Sequence, residues 1–340
     1  VSGHAPLAAI VGIAGTELTR DERDLFLRRP PAGFILFARN CAAPAQLREL
    51  TASLHGLFPG RHVPILIDQE GGRVMRMRPP HWPSLPAAAS IGALAERDES
   101  IAMEAARQLG RAIGHELAEV GIDVDCAPCL DVARSETTRA IGDRAFAADP
   151  ALVGRLGRAF MTGLEQAGIL PVMKHMPGHG RAHVDSHELL PTVDVDLEEL
   201  LATDLVPFRA CADAPLGMTC HVVYRAVDPR YPATQSPRVI SQLIRGEIGF
   251  AGILLSDDLG MRALQGGIAD RALLSLEAGC DIALHCNGDL VEMEAVLAAV
   301  PPLALAVADR LQALLGAADR RGRQSAPDAL ARLEEMMAVA

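Results

Sequence analysis

A chain of 340 residues, 49% of them apolar, has the material to bury a sizeable core in one large domain or two ordinary ones. Its 32 basic against 43 acidic side chains give a formal charge of −11 with no dense basic cluster, which argues against nucleic acid or an anionic membrane surface as a partner. No apolar run approaches the roughly eighteen residues of a membrane span, no basic segment precedes the apolar residues 7–15, and seven cysteines, an odd number, suit free thiols better than a disulfide framework; a cytoplasmic protein is the expectation.

Taken in order, residues 7–11 form a short apolar run closed by Gly12, and residues 21–27 begin a helical pattern. A second run at 33–37 is followed by leucines at helical spacing over 45–57, and a third run, 63–67, leads into Asp68-Gln69-Glu70-Gly71-Gly72-Arg73 and a proline-rich loop holding Arg76 and Arg78. Over 101–120, Ile101, Ala105, Leu109, Ile113 and Leu117 recur every fourth position and predict one buried helix face, stopped by Gly121. Residues 122–130 are a fourth strand candidate, interrupted by Asp123 and Asp125, and lead to a loop with Asp131, Arg134, Arg139, Asp143 and Arg144. A helix over 151–167, with Gly168 as its C-terminal cap, precedes a fifth run at 168–173. Further on, 200–212, 238–247 and 269–278 are helical, with Pro207 expected to start a second piece in the first of them, while 216–220, 252–256 and 280–284 are strand-like; 290–340 is helix-forming.

Eight short strand-like runs alternating with helices predict a single (β/α)8 TIM-type barrel over residues 1–340, with room for irregularity, and helices from about 290 onward packed on it. A doubly wound sheet is the alternative, but no Gly-x-Gly-x-x-Gly turn follows the first strand. Asp68, Asp131, Lys174, His221, Asp257 and Asn287 all fall at or just after strand ends, the face on which barrel enzymes build their sites. Cys126-Ala127-Pro128-Cys129 has redox or zinc spacing, yet it lacks a second pair and lies in a strand-like stretch, so core packing is its expected role.

The densest chemistry lies in Lys174-His175-Met176-Pro177-Gly178-His179-Gly180 and the following Asp185-Ser186-His187. Four of the chain's eleven histidines fall within residues 174–187, and the glycines and proline predict a shaped loop rather than a helix. If Asp185 accepts a hydrogen bond from one imidazole nitrogen of His187, the other is left for proton transfer; the bland alternative is two loop residues that happen to be near in sequence. In Ser256-Asp257-Asp258-Leu259 a strand delivers two carboxylates to the mouth, one able to face a pocket while the other is held by backbone; the bland alternative is a pair of surface acids or a helix cap. An Asp nucleophile with a His acid/base suits double displacement at an anomeric carbon. The rival is a metal site built from His175, His179, His183 and His187, whose four-residue spacing shares a face only on a helix; the chain also lacks a His-x-His pair.

The motifs Ile67-Asp68-Gln69-Glu70-Gly71-Gly72-Arg73-Val74, Ala140-Ile141-Gly142-Asp143-Arg144-Ala145-Phe146, the Lys174 loop, Asp185-Ser186-His187 and Ser256-Asp257-Asp258-Leu259 occur in an order that resembles the bacterial β-N-acetylglucosaminidases of the NagZ type, in family 3 of the glycoside hydrolases. The resemblance covers residues 12–287 and implies a single-domain retaining enzyme that removes terminal N-acetylglucosamine from anhydromuramyl peptides in cytoplasmic cell-wall recycling. It implies Asp257 as nucleophile, His187 as acid/base on a flexible loop, Asp185 as its orienting partner, and Asp68, Arg76, Arg144, Lys174 and His175 as sugar-binding residues. For Asp68 and Arg144 the bland alternative is a loop-bracing ion pair. Met176, Met75 and Gly260 stand where phenylalanine, glutamine and serine are common in that family, so the two methionines leave the sugar pocket open in detail.

A sugar or muropeptide is the expected partner, with no cofactor, no metal and a monomeric state. A glycoside phosphorylase on the same fold stays open, because a histidine acid/base has no anionic carboxylate to repel phosphate; so does a non-catalytic sugar-binding barrel. Gly178 and Gly180 are expected as loop hinges, His179 as a brace, and His183 as exposed.

Overall fold

The computed structural model describes residues 5–135, 137–186, 188–321 and 328–338. Strand β1 (Leu7–Gly12) leads to helix α1 (Arg20–Arg28), β2 (Pro31–Leu36) to α2 (Pro44–His55), and β3 (Ile65–Ile67), through a long loop, to α3 (Ala88–Leu94) and α4 (Glu99–Glu119). There follow β4 (Val124–Asp125), α5 (Pro150–Gln166), β5 (Leu170–Met176), β6 (Thr192–Val193), α6 (Leu197–Ala202), α7 (Val206–Ala210), β7 (Leu216–Thr219) and β8 (Val223–Tyr224). A π-wound segment, Val239–Glu247, precedes β9 (Ile253–Asp258), α8 (Ile268–Ala278), β10 (Ile282–His285), α9 (Leu290–Ala299), α10 (Leu305–Arg321) and α11 (Ala329–Ala338).

Eight of these strands close a barrel in the order β1-β10-β9-β7-β5-β4-β3-β2, every pair parallel. This is the expected (β/α)8 fold. Alternation along each strand sorts side chains into two layers. Ile10, Ile35, Leu66, Val124, Val172, Met218, Leu255 and Leu284 fill the interior, whereas Ala9, Val11, Phe34, Leu36, Ile65 and Ile67 face the surrounding helices. Leu311 and Leu315 of α10 join the interior cluster together with the first residues of several strands, so this helix closes the N-terminal end of the barrel.

Local signals explain most helix ends. Thr19 and Glu22 form a capping box on α1, Asp98 caps α4, and Asp149 with Pro150 starts α5. Gly121 and Gly168 take positive φ after α4 and α5, as their placement predicts. On α4 the expected face is buried from Ala105 to Leu117, but Ile101 at its start is 37% exposed. Backbones meet where α4 crosses α5: a Cβ on Gly163 would lie 2.2 Å from the Arg107 carbonyl oxygen, and one on Gly110 2.1 Å from that of Phe160.

Two expectations need correction. The regular part of the fourth strand is two residues rather than nine, because Pro128 has no amide to donate; its carbonyl still accepts from Lys174 N (3.1 Å), and Leu130 N donates to Lys174 O (2.7 Å). The fifth strand runs past its apolar stretch to Met176, so Lys174 and His175 lie within the strand and not beyond it. As expected, Pro207 starts a second helical piece: the helical stretch over 200–212 is α6 and α7, with Pro207 in the first turn of α7. Helix α3 and the small β6–β8 sheet were not foreseen; their runs are too short to carry a period.

Candidate active site

The cavity at the C-terminal mouth is built outward from β3. Gln69, just past that strand, is buried, and its side-chain oxygen accepts from Arg76 N (2.8 Å) and Met77 N (3.1 Å) while its amide donates to Met77 O (3.0 Å). Its own backbone N donates to Asp125 Oδ1 at 3.0 Å. These bonds fold the loop back on itself and bring Arg76 Nη2 to 3.0 Å from Asp68 Oδ2.

From Asp68 a chain of alternating charges crosses the floor of the mouth. Lys174, 2% exposed, places Nζ 2.8 Å from Asp68 Oδ1 and 2.6 Å from Glu70 Oε1. Glu70 also accepts a two-pronged contact from Arg144, Nε to Oε2 and Nη2 to Oε1, each 2.8 Å. Burial alone would lower the Lys174 ammonium, but the Asp68 and Glu70 carboxylates outweigh it and hold the pKa above its ordinary value. Burial likewise opposes ionisation of Asp68 and Glu70, yet Lys174 with Arg76 holds Asp68 well below the usual carboxylate range, and Arg144 with Lys174 holds Glu70 at about 2.

Arg144 Nη2 lies 3.2 Å from His175 Nε2. A guanidinium can only donate, so Nε2 accepts and the proton sits on Nδ1, which donates to Asp131 Oδ2 at 2.7 Å. The hydrogen-bond network thus assigns the tautomer. Asp131, fully buried, also accepts from the backbone N of His179 at 2.5 Å. His179 Nε2 in turn lies 3.2 Å from Ser186 Oγ, whose backbone carbonyl accepts from Ala263 N (3.3 Å). Burial lowers the His179 pKa to about 4, with Asp131 opposing. The neutral imidazole therefore tethers the segment carrying Asp185 and Ser186.

The two acids at the end of β9 have different surroundings. Asp258 Oδ1 accepts from Gly260 N (2.9 Å) and Cys286 N (3.0 Å), so this carboxylate serves the backbone. Asp257 reaches the cavity; its Oδ1 accepts from Asp258 N at 2.8 Å, and its own N donates to Thr219 Oγ1 at 3.3 Å.

Asp68, Arg76, Arg144, Lys174, His175, Asp185 and Asp257 all line one cavity of about 280 Å³. His187 lies outside the described residues. Asp68 and Arg144 do not pair with each other; each is held by another partner in the charged chain. His221 was expected at the mouth but is wholly buried behind it, with Nε2 2.9 Å from the Asp258 carbonyl, and so props β9. Met75 and Met176 are core residues that do not line the cavity; Met218 and Met261 do. Residues 177–186 are not helical, His183 is exposed, and no common helix face unites His175, His179 and His183. Gly178 and Gly180 are closely packed in this conformation: a Cβ on Gly178 would come 3.1 Å from Asp204 Cβ, and one on Gly180 2.1 Å from Val132 O. Sequence reasoning gave no task to Glu70, Ser186 or Asp131, although Glu70 and Ser186 lie inside the quoted motifs and Asp131 stands at a strand end. Cys126 and Cys129 are buried, and burial pushes both thiols well up, in keeping with packing.

These shifts predict acid sensitivity. The depressed carboxylates stabilise the fold fully above their unfolded pKa values, near 4, and lose that contribution as pH falls toward their folded values. His179 acts earlier: unfolded chains protonate it below 6.5, the folded protein only near 4, so stability drops across that interval by on the order of 3 kcal/mol. Thermal midpoints at pH 7.0, 5.5 and 4.5 should fall steadily; a flat profile contradicts the buried neutral imidazole.

The model of the family described as glycosyl hydrolase family 3 N terminal domain matches residues 9–314. A β-hexosaminidase of Stenotrophomonas maltophilia is 41% identical over 287 residues, 83% of this chain and 84% of that protein. Another, from Alkalilimnicola ehrlichii, is 43% identical over 284 residues, 82% and 80% of the two chains. In three dimensions the chain is similar to the crystal structure of NagZ from Neisseria gonorrhoeae in complex with N-trifluoroacetyl-D-glucosamine, with a TM-score of 0.87, 36% identity and 100% of both chains covered.

Proposed function

Since the chain belongs to glycosyl hydrolase family 3 and is a β-N-acetylhexosaminidase, we propose that Asp257 is its nucleophile and that Asp185 and His187 deliver the proton. The observation that carries this is the convergence of Asp257, Asp185 and the charged chain on one cavity. Asp257 attacks the anomeric carbon to form a glycosyl ester while His187, oriented by Asp185, protonates the departing oxygen; water then enters from the vacated side, gives its proton to His187, and releases sugar with its configuration retained. Asp68 accepts hydrogen bonds from sugar hydroxyls, and Arg76, Arg144, Lys174 and His175 surround the same sugar.

The substrate we assign is the non-reducing terminal N-acetylglucosamine of anhydromuramyl peptides, released during peptidoglycan recycling. The motif resemblance and the glucosamine derivative bound by the Neisseria gonorrhoeae relative support this. Seven free cysteines suit a cytoplasmic setting. Residues 1–340 are read as one domain, because α9 packs on β1 and α8, α10 on the barrel interior and α11 on α4.

The test compares an aryl β-N-acetylglucosaminide with the aryl β-glucoside, with and without phosphate, alongside an N-acetylglucosaminyl-anhydromuramyl peptide. Cleavage of the two N-acetylglucosaminides to free sugar, at least about 100-fold faster than the glucoside, is the expected result. Sugar 1-phosphate as the main product overturns the hydrolytic reading in favour of a phosphorylase, and an inert muropeptide removes the recycling assignment.

A further inference from the structure

At the opposite end of the barrel, on the N-terminal rim, side chains from three segments converge. His55 is the last residue of α2, His62 lies in the turn before β3, and Asp123 stands immediately ahead of β4. His62 Nε2 is 2.9 Å from Asp123 Oδ1 and His55 Nε2 is 3.6 Å from Asp123 Oδ2; one ligand atom from each residue fits within 4.8 Å of the other two. Donors held at about 2.0–2.2 Å around a tetrahedral ion stand roughly 3.3 Å from one another. The two separations lie either side of that value, His62 facing Oδ1 and His55 facing Oδ2, so both carboxylate oxygens stand at the ion's place.

The groups around this triad hold it in place. Asp123 Oδ2 accepts from Ile65 N at 2.9 Å, which fixes the carboxylate. The backbone of His62 is gripped on both sides by the Gln312 side chain of α10, N to Oε1 at 3.2 Å and O to Nε2 at 2.7 Å. Asp319, also on α10, places Oδ2 3.4 Å from His62 Nδ1. A carboxylate on the far nitrogen is the arrangement by which metal sites orient a ligating imidazole and leave its other lone pair facing the ion. The Gly121 carbonyl, 3.0 Å from His55 Nε2, or a water is positioned for the fourth place. Both imidazoles are partly exposed, at 28% and 27%, which gives an ion a way in.

We propose that His55, His62 and Asp123 form a structural site for a divalent transition metal of the zinc class. Without an ion, a His62 imidazolium would donate to Asp123 and Asp319 and His55 Nε2 would donate to the Gly121 carbonyl; what favours an ion is that two imidazoles and a carboxylate from three segments present their donors to one point. The ion ties the end of α2, the floor of the barrel and, through Asp319, helix α10 into one unit. It takes no part in sugar cleavage.

Chelator-treated full-length protein is titrated with zinc alone by calorimetry and scanned for its thermal midpoint. One equivalent is expected to bind without competition from N-acetylglucosamine, and at a hundredfold excess over Kd to raise the midpoint by on the order of 3 °C. His55→Gln and His62→Gln should each weaken zinc binding at least about tenfold and remove the thermal gain, with kcat/KM on the aryl N-acetylglucosaminide unchanged. Asp319→Asn, at an exposed position with no core packing to lose, should weaken binding less, and this variant guards against misfolding of the others. Absence of any bound equivalent overturns the site. So does zinc that N-acetylglucosamine displaces, or that all three variants bind as tightly as the parent, since it then sits in the catalytic cavity or elsewhere.

Discussion

Replacing Asp257 by Asn is expected to lower kcat on an N-acetylglucosaminide by on the order of 10⁴-fold or more while N-acetylglucosamine still binds. The amide is nearly the same size and still accepts the Asp258 N–H bond at its oxygen, so the end of β9 keeps its shape. It cannot form the glycosyl ester, because a neutral amide oxygen is a poor nucleophile and offers no negative charge to the cationic character that develops at the anomeric carbon. Asp258→Asn, by contrast, alters a carboxylate occupied by the backbone N–H groups of Gly260 and Cys286; its effect should be a loss of stability with a much smaller loss of kcat. Steady-state kinetics, with sugar binding measured separately, decide between the two acids. An Asp257→Asn enzyme within tenfold of the parent rate is incompatible with the nucleophile assignment.

Lys174→Met should destabilise the protein by about 3–5 kcal/mol and reduce kcat/KM as well, because it strips the shared cation from two carboxylates that are themselves buried. Lys174 is 2% exposed and touches both Asp68 and Glu70. Arg76 and Arg144 remain on the outer sides, so the anions are not wholly abandoned, but their mutual repulsion is no longer screened from between. Adding Asp68→Asn to Lys174→Met should recover part of the lost stability and none of the lost activity. Denaturant unfolding of the single and double variants measures the coupling; strictly additive losses mean that the charged chain is not a unit.

Much of this site is legible in the sequence because a barrel delivers strand ends to one face, and Asp68, Lys174 and Asp257 follow directly from locating apolar runs. Arg76 and Arg144 come from loops and were placed by motif resemblance. What the sequence conceals is pairing. Glu70 looks like a loop acid until Lys174 and Arg144 close on it, and Asp131 gains a task only when β4 and β5 bring it beside His175. Strand length is hidden for the same reason: β5 keeps its pairing through Lys174 and His175 because carboxylates on neighbouring segments make their burial tolerable. Gly178 and Gly180 suggest freedom by composition, and the structure adds a second reason for them: Asp204 and the Val132 backbone pack so close that little space is left for a side chain.

The seam of the barrel joins its earliest strand to its latest, with Ala9 beside Ala283 and Ile10 beside Leu284. β1 pairs early with β2, but it must wait for β10 before its second row of hydrogen bonds is made. On a ribosome this means that almost all of the protein has emerged before either open edge disappears. A chain interrupted ahead of Ile282 keeps β1 and β9 as unpaired edges, an invitation to pair with other molecules. The closing step, with the longest loop to bridge, is thus the one at which slow folding and aggregation compete.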